Sequence, residues 1–312
     1  MNSRHSLYWD DFERRIKETV NHIKYGKSLP IRRVSVFVTN KCNFRCAYCN
    51  MKFGNTVLSE SKFDEIVKQY GDTAIIHITG GEPSLVPWLY PYVEAHTGVK
   101  FHLNTNAFIA PPNNIRRLKV SLDSEDSEYF NGLVNSKGAF SNVYTNIKEQ
   151  CKKTVVSITC VLSKETYKKS PEFMKFCRQS FPGVYAVFFS IYKGNNERFK
   201  FGKEDIDIFF KEVVPKLEEE MDKESLALFQ ETIDEKIRLI QGVRFPENDI
   251  SVPCYLSLSE RCFNWDGEMG TCSHLFRDGI RETECGKKHE VCRYGCNRRL
   301  VEFNQLVHNL IK

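Results

Sequence analysis

The stretch Val34-Ser35-Val36-Phe37-Val38-Thr39-Asn40-Lys41-Cys42-Asn43-Phe44-Arg45-Cys46-Ala47-Tyr48-Cys49 decides how the chain is read. Residues 34–38 are rich in β-branched and aromatic side chains, which suit a pleated, buried strand. The strand runs straight into a loop that carries three thiols at spacings of x3 and x2. Three thiolates so spaced can converge on one metal centre. A four-iron cluster normally takes four cysteines, so three leave one iron open to a ligand from outside the protein. Zinc with a remote fourth ligand is the alternative.

Outward from this loop the composition is that of a folded protein. The 312 residues are 41% hydrophobic and 27% charged, too rich in apolar side chains for a solvated coil. No apolar run approaches the roughly 18 residues that cross a bilayer. Met1–Asp10 has no apolar signal core, so a cytoplasmic location without membrane attachment is expected. The net charge of +5 permits an anionic partner without demanding one. Twelve cysteines are too many for an ordinary chain of this length, and their clustering points to metal rather than disulfides.

Short apolar runs recur at 34–38, 73–78, 100–103, 118–122, 155–162 and 185–191, separated by helix-like stretches such as 61–70 and 140–152. Alternating strand and helix signals predict parallel strands with crossover helices. Six strands make an α/β fold of the partial (β/α)6, TIM-like barrel kind, too few for a closed eight-stranded one. Residues 1–30 read as a helical lead-in, with Phe12, Ile16, Val20 and Ile23 at helical spacing. Residues 31–245 read as the barrel with trailing helices, in which Pro215 is expected to kink or split the helical segment 203–240. Residues 246–312 form a small cysteine-rich C-terminal domain.

The cysteine loop resembles the signature of the radical S-adenosylmethionine (SAM) superfamily, matched by Cys42, Cys46, Tyr48 and Cys49. The resemblance implies a [4Fe-4S] cluster whose open iron chelates SAM. One electron, from a flavodoxin- or ferredoxin-like reductant, then yields methionine and a 5′-deoxyadenosyl radical. Gly80-Gly81-Glu82-Pro83 resembles the family's Gly-Gly-Glu-Pro motif, which contacts the SAM ammonium. Two glycines suit close backbone approach, and a carboxylate suits an ammonium. Asn104 and Asn106, and then Ser121 and Asp123, end the next two strands and resemble positions that hold the ribose and carboxylate of SAM.

Six further cysteines lie at 254, 262, 272, 285, 292 and 296, with Asp266-Gly267 between Cys262 and Cys272 as a hairpin turn. This region resembles the SPASM and twitch extensions that carry auxiliary clusters. The full type has seven cysteines, whereas six are present, so one auxiliary iron–sulfur cluster, through Cys254, Cys272, Cys292 and Cys296, is the expectation. Structural zinc on such thiolates is the alternative. Cys160 and Cys262 are candidate hydrogen donors, Cys160 because its strand could face the barrel interior. For Cys160, as for Cys151 and Cys177, the plainer reading is a small buried hydrophobe.

Hydrogen abstraction from a substrate carbon is the implied activity, and a peptide matured by oxidation, crosslinking or epimerisation is the expected substrate. A small molecule such as an amino sugar is the alternative. An RNA-binding role would use Arg14, Arg15, Lys17, Arg32 and Arg33 as a phosphate face, but no aromatic residues interleave with them, and nucleic acid is not the expected partner.

Overall fold

The computed structural model describes residues 12–192, 194, 196–230, 252–271 and 298–312. All six expected strands form: β1 (Arg33–Phe37), β2 (Ile75–Thr79), β3 (Lys100–Thr105), β4 (Arg117–Ser121), β5 (Val155–Leu162) and β6 (Ala186–Ile191). They lie parallel in chain order, as one-way crossover connections require. The sheet is larger than the six strands expected. A further strand, β7 (Glu260–Phe263), adds in parallel to β1, and β8 (Met269–Gly270) pairs antiparallel with β7. The hairpin expected around Asp266-Gly267 is therefore present, with Gly267 at φ +80°. It extends the barrel sheet instead of standing apart from it.

Strand alternation gives the sheet two unlike faces. Val34, Val36, Ile76, Ile78, Leu103, Val120, Ile158 and Val187 are buried in one continuous core with the helices. That core includes Phe63 and Ile66 of α1 (Glu60–Tyr70), Val143 and Ile147 of the helix Ala139–Gln150, and Met174 and Cys177 of the helix Ser170–Ser180. The other face carries Ser35, His77, His102, Arg117 and Ser157, which are also buried yet polar. A parallel sheet covered on both faces normally shows continuous apolar runs. Polar residues at every second position mark this face as the lining of a lumen.

Local chemistry sets the helix ends. Ser59 accepts a hydrogen bond from the amide of Lys62 at the start of α1, and Asp126 accepts from the amides of Glu128 and Tyr129 at the start of the helix Ser127–Leu133. The segment after Lys203 is split, as one of the two expectations had it, though not at Pro215. Lys203–Ile208 passes through a π-helical turn at Phe209–Val213 before Val214–Glu220. Pro215 lacks an amide and would strike the carbonyl four residues back, and the wider turn just upstream relaxes the ladder there. The break comes at Met221, which is extended. In the following helix, 223–230, the Ser225 hydroxyl accepts from the amide of Val187 on edge strand β6.

The N-terminal helix Phe12–Tyr25 forms as its spacing predicts, and its apolar face packs on the C-terminal helix Arg298–Ile311. Ile16, Tyr255, Leu256, Phe303 and Val307 make this second, smaller core. Of the five basic residues of the candidate phosphate face, Arg14 and Lys17 are exposed and the other three are engaged within the chain. Arg15 is buried, with its guanidinium 3.0 Å from Glu260, Arg32 grips Glu18 with two hydrogen bonds, and Arg33 turns to His77.

Candidate active site

The cysteine loop leaves β1 and is fixed by two aromatic anchors that alternate with the thiols. Phe44 is buried between the rings of Phe108 and Phe130, at 5.8 and 6.5 Å. Tyr48 packs edge-on against Phe199 and donates its hydroxyl to Asp123 at 2.5 Å. Between them, the amides of Arg45 and Ala47 donate to the carbonyls of Val134 and Leu133. Cys42 and Cys46 are half-buried and Cys49 is exposed. Burial, with the charge of neighbouring thiols and carboxylates, pushes Cys42 up to about 11 and Cys46 higher still. These thiols resist ionising by themselves. A cationic cluster is what would hold them as thiolates, so the donor set fits iron–sulfur ligation.

The glycine turn at the end of β2 abuts the start of this loop. The amides of Gly81 and Glu82 donate to the carbonyls of Thr39 and Lys41, both at 2.7 Å. Gly80 holds φ +143°, and a Cβ on Gly81 would lie 2.0 Å from the Lys41 carbonyl oxygen. The close approach that the two glycines permit is thus, first of all, to the cysteine loop. Pro83 is buried and opens a short 3-10 turn at Pro83–Leu85.

Glu82 is fully buried. Its carboxylate accepts from the Ser84 amide at 3.0 Å, the Thr105 hydroxyl at 2.6 Å and the Asn106 amide at 2.7 Å. Burial raises its pKa and these three donors oppose the rise. Glu82 therefore ties the end of β2 to the end of β3. Asn106 in turn donates its side-chain amide to Asn43 within the cysteine loop, at 2.8 Å. Ala107, next in the chain, is buried at φ +53°, a strained backbone for a residue with a Cβ. Nothing in the sequence marks it.

Asp123, just past β4, accepts from Tyr48 and from the amide of Val161 at 2.7 Å, and burial pushes it up to about 6. The Tyr48 signature position and the Asp123 position are thus one hydrogen-bonded unit. Ser121 is exposed at the end of β4, and Asn104 is half-buried on the lumen face of β3. Of the two readings of Cys160, the structure overturns the interior-facing hydrogen donor and agrees with the small buried hydrophobe. It alternates with Ile158 and Leu162 toward the helices, is buried in the main core, and points its sulfur at the Asp123 carbonyl at 3.7 Å. Cys262 does lie on the lumen side, in register with Ser35 and buried. Cys254 caps the turn Tyr255–Leu258 beside the second core. Cys272, Cys285, Cys292 and Cys296 lie outside the described residues. Among the described residues no helix is long and apolar enough to cross a membrane.

Residues 36–177 match the model of the radical SAM superfamily. GTP 3′,8-cyclase of Staphylococcus carnosus (strain TM300) is 33% identical across 34% of this chain and 38% of its own length. The same-named protein of Staphylococcus epidermidis (strain ATCC 12228 / FDA PCI 1200) is 33% identical across 42% and 45%. The chain thus spans less than half the length of these relatives. Among solved structures, Streptococcus suis SuiB bound to S-adenosylmethionine superposes with a TM-score of 0.57 at 16% identity, over 88% of this chain and 66% of that one. Native anSMEcpe with bound AdoMet gives 0.56 at 15%, over 89% and 82%. At such identities the likeness is one of fold. The family match takes in the cysteine loop, the Gly80–Pro83 turn and Asp123 together: residues 36–177 of this chain are a radical SAM domain.

Proposed function

We propose that the chain is a radical SAM enzyme that abstracts a hydrogen atom from a substrate carbon inside the barrel. The observation that carries this is the joining of the thiol loop to the Gly81 and Glu82 amides and, through Asn43 and Asn106, to the end of β3. Cys42, Cys46 and Cys49 would hold a [4Fe-4S] cluster, and Gly80–Pro83, Asn104, Asn106, Ser121 and Asp123 would surround SAM. When bound, these two groups and a one-electron reductant supply the 5′-deoxyadenosyl radical. The chain's own part is to fix that chemistry at the rim and keep water from it. Replacing Cys42, Cys46 and Cys49 together by Ala is expected to remove about four irons per chain and all deoxyadenosine formation under anaerobic reduction. Persistence of deoxyadenosine refutes the reading.

An auxiliary iron–sulfur cluster on Cys254, Cys272, Cys292 and Cys296 is part of the proposal, with Cys262 as a candidate hydrogen donor. A wild-type content of about eight irons supports it; about four irons with stoichiometric zinc dismisses it. The peptide reading draws support from SuiB, a structure of which is bound to precursor peptide SuiA. A small anionic substrate is favoured by the relatives named for GTP. Mass spectrometry after anaerobic turnover separates these readings. Loss of two hydrogens from a candidate peptide supports its oxidation or crosslinking, and unchanged mass with solvent deuterium gained supports epimerisation.

A further inference from the structure

The stretches that meet the cysteine loop from outside carry cations and no acids. Residues 38–59, 104–113 and 131–138 include Lys41, Arg45, Lys52 and Lys137 and not one Asp or Glu. The fold gathers these stretches around the thiols. The amide of Gly54 donates to the Asn40 carbonyl at 3.1 Å, which brings Lys52 and Phe53 beside the start of the loop. The Arg45 amide donates to the Val134 carbonyl at 2.9 Å, which sets the turn bearing Lys137 alongside. Phe44 packs on Phe108 of the third stretch. Arg45, Lys52 and Lys137 are exposed and Lys41 is half-buried. None of the four takes part in the ion pairs among the described residues.

Arg45 is held in place. Its guanidinium donates to the carbonyls of Cys42 and Phe44, at 2.5 and 2.8 Å, and lies over the Phe53 ring at 4.4 Å. None of these partners neutralises its charge. That charge is near enough to favour the Cys42 thiolate, so the cations lie against the candidate cluster site. Cys49, the last thiol of the loop, is itself exposed, and Phe53 keeps 37% of its surface in solvent. A fixed arginine–aromatic pair with lysines around it has the make-up of a contact centre with a charged rim.

We propose that this surface, centred on Arg45 and Phe53 and rimmed by Lys41, Lys52 and Lys137, docks a small acidic protein that carries one electron. The inference rests on the reading of the chain as a radical SAM enzyme, which draws its electron from outside. The docked carrier is oxidised by one electron, the cluster held by Cys42, Cys46 and Cys49 is reduced by one, and no bond or proton changes hands. Cations around an exposed thiol loop steer an acidic partner to the place where its electron is used. Weak redox encounters bury less than about 1,200 Å², so a small patch suffices. Nucleic acid is the less suited occupant. Phe44 is buried, Tyr48 is packed on Phe199 and Phe53 gives one face to Arg45, so no row of open rings awaits bases.

Calorimetric titration of the anaerobically reconstituted protein with flavodoxin, and separately with a plant-type [2Fe-2S] ferredoxin, tests this. A dissociation constant of about 10 μM at low salt is expected for at least one carrier, weakening steeply as salt screens the charges. Lys52→Glu and Lys137→Glu should each weaken it about tenfold. Lys175→Glu, exposed on the helix Ser170–Ser180, should not. Deoxyadenosine formation is then driven either by the reduced carrier or by dithionite. Lys52→Glu should slow the carrier-driven rate about tenfold and leave the dithionite-driven rate unchanged, since a small inorganic reductant needs no docking. No binding of either carrier overturns the surface, as does binding that ignores salt and both substitutions; dithionite-driven deoxyadenosine then leaves the radical SAM reading standing. Salt-sensitive binding without dithionite-driven deoxyadenosine removes that reading and leaves the docking surface standing. A single-stranded oligonucleotide bound more tightly than either carrier, and lost in Lys52→Glu, reassigns the surface to nucleic acid and overturns the proposal.

Discussion

At the rim of the barrel the buried carboxylates are closed by the chain's own donors: Glu82 accepts three hydrogen bonds and Asp123 accepts two. Roughly 10 Å lower, by strand rise, His102 is also buried and leaves Nε2 unpaired. The two regions use buried polarity differently. Satisfied networks rigidify what they join, and at the rim they join the cysteine loop to the ends of β2, β3 and β4. On the lumen face the Nε2 of His102 and the Thr159 hydroxyl are left unpaired, so that burial there is less well compensated than at the rim.

The contrast can be broken most severely at Gly81. Gly81→Ala sets a methyl 2.0 Å from the Lys41 carbonyl oxygen, and the loop must shift as a whole. Chemical denaturation is expected to show a loss of about 4 kcal/mol, with iron content falling in parallel. A stable, iron-replete variant would show that the rim is softer than its geometry.

Glu82→Ala comes next, because it strips the acceptor from three donors in a dry site. The expected loss is about 3 kcal/mol. Glu82→Gln separates framework from ligand binding. If stability holds while SAM affinity falls about tenfold, the carboxylate also faces the SAM ammonium, as the family resemblance implies. If stability falls and affinity holds, Glu82 is a positioning residue alone.

Tyr48→Phe removes one hydrogen bond to a buried carboxylate, for about 1.5 kcal/mol. Asp123, already near 6 through burial, should then titrate higher, since the Tyr48 hydroxyl opposes that rise. An unchanged Asp123 titration would argue against this coupling.

The effect that is smallest at neutral pH belongs to the lumen and is read against pH. His102 titrates near 3 when folded and near 6.5 when unfolded, so below about 6.5 the unfolded chain takes up a proton that the folded one refuses. Stability is then lost as pH falls from about 6.5 toward 3, by up to roughly 1.4 kcal/mol per unit. His77 acts in the same direction. His102→Asn should flatten the slope by one proton in urea titrations, and an unaltered slope would mean that His102 is not the neutral buried group described.

Much of this was legible beforehand. The strands announced themselves by β-branched composition, the thiol loop by its spacing, and the N-terminal helix by Phe12, Ile16, Val20 and Ile23. The lumen was legible in principle, since Arg33, Ser35 and Phe37, then Ile75, His77 and Thr79, fall on alternate positions. Alternation says that a strand has two faces, though, and not which one meets the helices. For that reason Cys160 could be read either as an interior thiol or as a buried hydrophobe, and the fold places it in the core. β7 was hidden because Glu260-Arg261-Cys262-Phe263 is short and polar at its start, and its pairing with β1 spans more than two hundred residues.

By itself the sequence determined the order of strands and helices, the chemistry of the cysteine loop and the glycine turn that serves it, because spacing and periodicity are local properties of the chain. Only the tertiary structure decided that Gly81 opposes Lys41, that Glu82 is closed by Thr105 and Asn106, that Tyr48 and Asp123 form one unit, and that His77, His102, Arg117 and Lys119 share a lumen. Each of these depends on residues brought together from different strands and loops. Burial then decides their charge states and their unmet hydrogen bonds, and burial is a property of the packed fold.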